Sequence, residues 1–257
     1  MFEEKSKTVR KNILKLSHMA KSSHIGSCLS IVDILLVIFL KFIKFKKKSS
    51  DVFILSKGHA CLALYCVLNE VKIISKKTLM SYGKNRSLLM AHASHKVPGI
   101  PLSTGSLGHG LPVAVGLALA NKIKKKKKRI FVLLSDGELN EGSNWESLIF
   151  ASHHKLNNLT IIIDYNKIQS LDFVKKTLKI EPLEKKFTSF GCKVFEANGH
   201  NFNQLHNFLK KKSKTKPTVI LAHTIKGKGI KFMENKILWH YKSLNSNDLA
   251  NALNILR

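Results

Sequence analysis

The sequence predicts an α/β fold, a parallel sheet covered by helices on both faces. Three observations carry this. The segment 130–134 is apolar at every position and 159–163 at all but Thr160, as in strands buried on both faces. Such segments alternate with helical patterns, the order that builds a parallel sheet with crossover helices. Finally, the chain has 257 residues and is 44% hydrophobic, enough for one large core. Neither an internal repeat nor a Gly/Ser linker divides it, so residues 1–257 read as a single domain.

Each element follows from its own pattern. Residues 5–20 place Val9, Ile13, Leu16 and Met19 at helical spacing among lysines, an amphipathic helix. A polar turn over 22–27 leads to a strongly apolar helix over 30–42. Residues 51–55 read as a short buried strand, ended by Ser56-Lys57-Gly58-His59, and 61–70 as a helix. Residues 81–110 are loop-like and rich in Gly, Ser, His and Pro; so long a loop inside a compact domain is usually functional. A helix over 112–123 has Pro112 at its start, where proline is tolerated. The strands 130–134 and 159–163 flank a helix over 145–154. Further strands are expected over 193–197 and 218–222, and further helices over 205–212 and 248–256.

Composition narrows the function classes. Lys and Arg number 44 against 16 Asp and Glu, a net charge of +28. Such a balance invites a nucleic-acid reading. The basic residues, however, lie in short runs at element edges (Lys46 to Lys48, 124–129 and 210–212) with no interleaved aromatics to stack on bases. The abundance of Lys, Asn and Ile matches a coding bias toward A and T, and no nucleic acid is expected as a partner. Cys28, Cys61, Cys66 and Cys192 form no C-x-x-C pair and read as reduced thiols. The apolar stretch 34–45 is interrupted by Lys41 and Lys44 and is too short to span a bilayer. A cytoplasmic protein with no membrane partner is expected.

The chemistry concentrates between Ser135 and Ile168. One buried strand delivers Ser135-Asp136-Gly137-Glu138, and the next delivers Asp164-Tyr165-Asn166-Lys167-Ile168. Ligands of open α/β sheets bind beyond the carboxyl ends of the strands. If these strands are neighbours, the Asp136 carboxylate and the Asn166 amide oxygen face one cleft, with the Ile168 carbonyl beside them. Three hard oxygens suit a Mg²⁺ that leaves positions for phosphate and water. Gly137 has no Cβ, so backbone can approach a phosphate closely.

Asp136-Gly137 followed by Asn166 resembles the metal motif of thiamine-diphosphate enzymes. Its surroundings are more specific: Glu138-Leu139-Asn140-Glu141-Gly142, Trp145-Glu146, and Lys155 to Leu159 look like transketolase. The resemblance extends along the chain. Ser23-His24-Ile25-Gly26-Ser27 is similar to the family's first histidine motif and Ser56-Lys57-Gly58-His59 to its second. Ala91-His92 and the run from Ser103 to Gly110 resemble the cofactor-contacting loop. Lys226-Gly227-Lys228-Gly229, Phe232 to Asn235 and Trp239-His240 resemble the C-terminal motif of small-subunit transketolases.

The resemblance implies a thiamine-diphosphate-binding fold of the diphosphate-binding type, with these roles. Asp136, Asn166 and the Ile168 carbonyl would hold Mg²⁺. Gly137, His59 and His240 would contact the diphosphate or the sugar near it, and Gly105 and Leu107 the aminopyrimidine. His24, His92 and His240 would serve catalysis at the donor ketose. Glu141 is expected near the cofactor and, with Glu146, at the subunit interface; both also fit first-turn glutamates favoured by a helix dipole. Ser135, Ile25, Ala93 and His109 depart from the family pattern, which usually has Gly, Pro, Pro and Gln there. The family also needs a second domain, which supplies a glutamate to the aminopyrimidine and arginines to sugar phosphate. The expectation is therefore the N-terminal subunit of a transketolase of the pentose phosphate pathway, active only with a complementary C-terminal subunit in an α2β2 assembly, using thiamine diphosphate and Mg²⁺ on sugar-phosphate substrates. The nearest alternative is the α subunit of another split thiamine-diphosphate enzyme, a 2-oxo acid dehydrogenase or a 1-deoxyxylulose-phosphate synthase-like protein.

Overall fold

The computed structural model describes residues 2–45 and 50–257; the basic run Lys46, Lys47 and Lys48 lies outside the described residues. Five strands form one sheet: β1 (Val52–Leu55), β2 (Ile130–Ser135), β3 (Leu159–Tyr165), β4 (Lys193–Asn198) and β5 (Thr218–His223), in the order β1-β2-β3-β5-β4. Every neighbouring pair is parallel. All strands therefore end at the same edge, and the loops that follow them share one end of the molecule.

Alternation along each strand splits the interior into two cores. Phe131, Leu133, Ile162 and Ile220 face one side. Ile130, Val132, Leu134, Ile161, Ile163 and Val219 face the other. Against the first side pack α1 (Phe2–Met19), α2 (Ile25–Ser30), α3 (Val32–Val37), α4 (Cys61–Glu70), α10 (Phe202–Lys210) and α11 (Ser246–Ile255). Against the second pack α6 (Gly110–Ile123), α7 (Gly142–His153) and α9 (Leu183–Ser189). Both faces are covered because β2, β3 and β5 carry no solvent-facing side to satisfy with polar residues. Two one-turn helices, α5 (Lys76–Leu79) and α8 (Val174–Thr177), complete the set.

The expected helix over 30–42 is three elements. α2 ends at Ser30, Ile31 leaves the helical region at φ −101°, ψ 0°, α3 restarts, and Ile38–Phe42 continues as a π turn closed by Ile43 N–H on the Ile38 carbonyl. The Ser30 hydroxyl donates both to the Ser27 carbonyl and to Asp164. Such side-chain bonds bend a helix without altering its apolar period. α7 begins at Gly142 rather than Trp145, because Glu141 supplies the extended N-cap residue. α5, α8 and α9 were not expected; they are too short to show a period. Between α5 and α6 the described chain has no regular element, as the long loop over 81–110 suggests.

All four cysteines are buried and unpaired. Among the described residues no helix is long and apolar enough to cross a membrane.

Candidate active site

Register brings the two key strand ends together. Ser135 pairs with Asp164 across β2 and β3, so Asp136 and Asn166 emerge side by side. Asp136 is almost fully buried. Its Oδ1 accepts from Gly137 N–H at 2.8 Å and its Oδ2 from Lys167 N–H at 2.6 Å. Lys167 reaches that position in a left-handed conformation, φ 66°. For a residue with a Cβ that costs roughly 1 kcal/mol or more, and such strain gathers at functional turns. The Asn166 amide oxygen accepts from Ile168 N–H at 3.1 Å, and its amide nitrogen donates to Asp164 at 3.0 Å.

These residues line a cavity of about 270 Å³ at the carboxyl end of the sheet. His24, His59, His92, His240, Gly105, Leu107, Asp136, Gly137, Asn166 and Ile168 all face it. The histidine rings cluster: His24 lies 5.1 Å from His59, 6.5 Å from His92 and 4.9 Å from His240 between centroids. His24 is itself held left-handed at φ 66°, and its N–H donates to the His240 carbonyl at 2.7 Å. Of the expected site residues, Glu141 alone does not line the cavity. The 3-10 turn Gly137–Asn140 sends Glu138 inward, where its carboxylate accepts from Ser56, Gly108 N–H and Ser135 N–H. Glu141 is left exposed at the start of α7.

Two lysines of this cavity were not among the expected site residues. Lys57 and Lys226 are each 1% exposed. Lys57 donates to Asp164, which also accepts from Ser30 and Thr224. That carboxylate ties α2, β1, β3 and β5 beneath the site. Burial opposes its charge, but Lys57 and the hydroxyl donors hold its pKa below the usual range. Lys226 Nζ donates to the Ile168 and Gln169 carbonyls at 3.0 and 3.1 Å and lies 2.9 Å from His240 Nδ1. Burial and Lys57 bring its pKa down to about 8. Both lysines sit inside motifs that the sequence displays, but a lysine stands out little in a chain with 44 Lys and Arg.

The electrostatics favour neutral imidazoles. Burial, then His92, Lys226 and Lys57, lowers the His24 pKa to about 4. Burial, then Lys226, His24 and Lys57, lowers that of His240 to about 3. Burial, with Lys57 next, holds His59 well below its ordinary value. With the Lys226 ammonium donating to Nδ1, His240 keeps its proton on Nε2.

The donor set fits a divalent cation. Among the described residues Asp136 forms no ion pair with a Lys or Arg; burial and the Asp164 charge push its pKa up to about 7. A bound cation supplies the missing countercharge. Among the described residues no group of three His, Cys, Asp or Glu is arranged to hold a metal. One carboxylate, one amide and one carbonyl would therefore hold a Mg²⁺ only together with oxygens of a ligand, as Mg²⁺ sites built on phosphates do. The Ile168 carbonyl already attracts one cation, the Lys226 ammonium. The lysines and the bare backbone at Gly137, which faces the cavity and where a Cβ would crowd the Gln169 side chain at 3.1 Å, suit a diphosphate.

A larger cleft, about 780 Å³, lies between α1 and the start of α10. Its polar floor is satisfied internally: Arg10 binds Asp33, Ser6 and the Lys228 and Leu29 carbonyls, and His200 binds Asp33. The chemistry is therefore read from the smaller cavity.

The family model described as "Transketolase, thiamine diphosphate binding domain" matches residues 3–256. An apulose-4-phosphate transketolase subunit from Actinobacillus succinogenes is 40% identical over 263 residues, covering 99% of this chain and 95% of that protein. Human transketolase is 36% identical over 245 residues, covering 93% of this chain but 39% of its own length. The structure of transketolase from Leishmania mexicana matches with a TM-score of 0.90 at 25% identity, over 100% of this chain and 41% of that one. The chain thus spans about two fifths of whole transketolases and nearly all of the Actinobacillus protein.

Proposed function

Since the chain belongs to the transketolase thiamine-diphosphate-binding domain family, we propose that it is the cofactor-binding subunit of a two-chain transketolase. The assembly transfers a two-carbon ketol unit from a ketose phosphate to an aldose phosphate, with thiamine diphosphate and Mg²⁺. The single observation that carries this is the convergence of Asp136, Asn166 and the Ile168 carbonyl with Lys57, Lys226 and four histidines on one cavity.

Asp136, Asn166 and Ile168 hold Mg²⁺ in this reading, and Lys226 faces the diphosphate with the Gly137 backbone. Leu107 and Gly105 offer an apolar wall and close backbone to the aminopyrimidine. When bound, thiamine diphosphate supplies the nucleophilic carbon and the electron sink for the two-carbon unit. The protein's own work is orientation and proton movement. Neutral imidazoles present one donor and one acceptor each. His240, protonated on Nε2, donates toward a substrate oxygen; His24, His59 and His92 hold sugar hydroxyls, and a neutral ring accepts a hydroxyl proton and returns it.

The remainder of a whole transketolase corresponds to a separate C-terminal subunit. The lone chain is expected to be inactive, with ketol transfer appearing when the complementary subunit is added. Full transfer by the chain alone overturns the two-chain reading. The Asp136→Ala variant should fold normally by circular dichroism yet lose at least about 100-fold in affinity for thiamine diphosphate with Mg²⁺ by titration calorimetry. Wild-type affinity in that variant refutes the metal site.

A second reading of the substrate has its own support. The 40% identical Actinobacillus relative is named for apulose 4-phosphate, so that sugar phosphate is the substrate if this chain shares its specificity. Comparing apulose 4-phosphate with a pentulose phosphate as donor to the assembled enzyme decides between this and a pentose phosphate pathway role.

A further inference from the structure

Lys226 stands on a turn that is gripped from outside the cavity. Ile225 to Lys228 form a β-turn, closed by the Lys228 N–H on the Ile225 carbonyl at 3.1 Å. Gly227 takes its third position at φ 82°, the positive value that a type II turn requires there. A Cβ on Gly227 would meet the Met233 carbonyl oxygen at 2.6 Å, and its N–H donates to the Gly26 carbonyl at 3.0 Å. Lys226 occupies the second position. Its side chain leaves the turn toward the Ile168 and Gln169 carbonyls and His240. The start of α2 backs the stem, since a Cβ on Gly26 would lie 3.2 Å from Lys226 Cγ.

Both ends of that turn lead to one carboxylate. The Ile225 N–H donates to His200 Nε2 at 2.9 Å, and His200 Nδ1 lies 2.8 Å from Asp33 Oδ2. With Nε2 accepting, the His200 proton sits on Nδ1 and faces Asp33. At the other end the Lys228 carbonyl accepts from Arg10 Nε at 3.0 Å. The remaining guanidinium nitrogens donate to Asp33 Oδ1 and Oδ2 at 3.0 and 2.8 Å. Asp33 from α3, Arg10 from α1 and His200 from the loop after β4 thus bracket the turn. Arg10 is 5% exposed and Asp33 4%. Burial opposes the Asp33 charge, but His200, Arg10 and Ser6 hold its pKa below the usual carboxylate range. A buried ion pair is a poor source of net stability; what its directional bonds supply is placement. None of the three residues lines the smaller cavity, and each lines the larger cleft behind it.

We propose that Asp33, Arg10 and His200 are positioning residues for Lys226, setting the depth at which its ammonium enters the cavity. They touch neither cofactor nor sugar and act on a ligand through the turn alone. This rests on the reading of Lys226 as a cation that faces the diphosphate, and adds what puts it there.

Two measurements on the full chain separate the bracket from that reading. The first needs no cofactor: acetic anhydride labels amines, and mass mapping follows Lys226 against the exposed Lys231. Lys226, buried in the wild type, should label about tenfold faster once His200→Ala lets the turn open locally. Arg10→Lys should act in the same direction, because it keeps the charge but loses the fork that reaches both Asp33 and the Lys228 carbonyl; it serves if His200→Ala does not fold. His200→Gln retains an acceptor for Ile225 and a donor for Asp33 and should label close to the wild type. Leu209→Ala, which opens a cavity under α10, should lose stability in urea without that gain in labelling. A wild-type labelling rate in both His200→Ala and Arg10→Lys, or an equal rise in Leu209→Ala, overturns the proposal. The second measurement is calorimetric titration with thiamine diphosphate and Mg²⁺. His200→Ala should bind about tenfold more weakly, the usual effect of losing a group that orients a ligand-binding residue. In the Lys226→Met background the same substitution should cost nothing further. A loss equally large in both backgrounds overturns the proposal, because His200 then acts otherwise than through Lys226. If Lys226→Met binds like the wild type while labelling responds as expected, the diphosphate contact of Lys226 falls and the bracket stands.

Discussion

Asp136 is a buried carboxylate with backbone donors on both oxygens and, among the described residues, no cationic side chain in ion-pair contact. Its pKa near 7 and that of Lys226 near 8 set opposite limits on ligand binding. Below about pH 7 the carboxyl must lose a proton to meet a metal, so affinity for Mg²⁺ with thiamine diphosphate falls about tenfold per unit of acidification. Above about pH 8 the ammonium loses its charge and its attraction for a diphosphate. The expected profile is a maximum between these values, checked by calorimetric titration of the protein from pH 5.5 to 9; a flat profile contradicts it. Lys57 is a different case, because its partner Asp164 has no exposure to water. Lys57→Met leaves that charge uncompensated and should cost about 3 kcal/mol in urea unfolding, part of which Lys57→Met with Asp164→Asn should restore. The histidines of the site were legible because each stands in a distinctive turn motif. The lysines were not, since their meaning depends on burial, and burial at a strand end depends on which strands are neighbours. Glu141 stands apart: its motif suggested cofactor contact as well as a subunit interface, and the 3-10 turn leaves it exposed, outside the cavity.

Elements are joined at this site by close backbone contacts that leave no room for a Cβ. A Cβ on Gly58 would collide with the backbone carbonyl of Thr104, and one on Gly110 with Ser56. The end of β1 is thereby pressed against the loop that carries Gly105 and Leu107. Gly58→Ala should destabilise by about 1–3 kcal/mol and, by pushing that loop outward, weaken thiamine diphosphate binding as well. Paired urea and calorimetric titrations check both, and a loss of stability alone would show that the loop position is not tied to Gly58. The central strands β2 and β3 were readable because a nearly unbroken apolar run of this length has few other uses. The split of α2 from α3 was not, because a serine hydroxyl reaching Asp164, 134 positions along the chain, makes it. Helices of one turn, such as α5 and α8, bury too few side chains to impose a period.

At the level of the whole molecule, the parallel sheet gathers every strand end, and with them the candidate chemistry, at one pole. That arrangement followed from strand composition and the alternation of elements. The chain spans about two fifths of the whole transketolases it matches, and its own residues carry no record of what the remainder of those proteins contributes. The strands begin at the opposite pole, where the Arg129 carbonyl receives the Val52 amide and the run Lys124 to Lys128 turns the chain from α6 into β2. Among the described residues that turn shares no hydrogen bond with the catalytic end. Mutational drift therefore has somewhere harmless to accumulate: lysines can be gained or lost there without the chemistry registering it. The same seclusion makes this turn the place to attach a reporter or a surface tether while leaving the reactive end untouched.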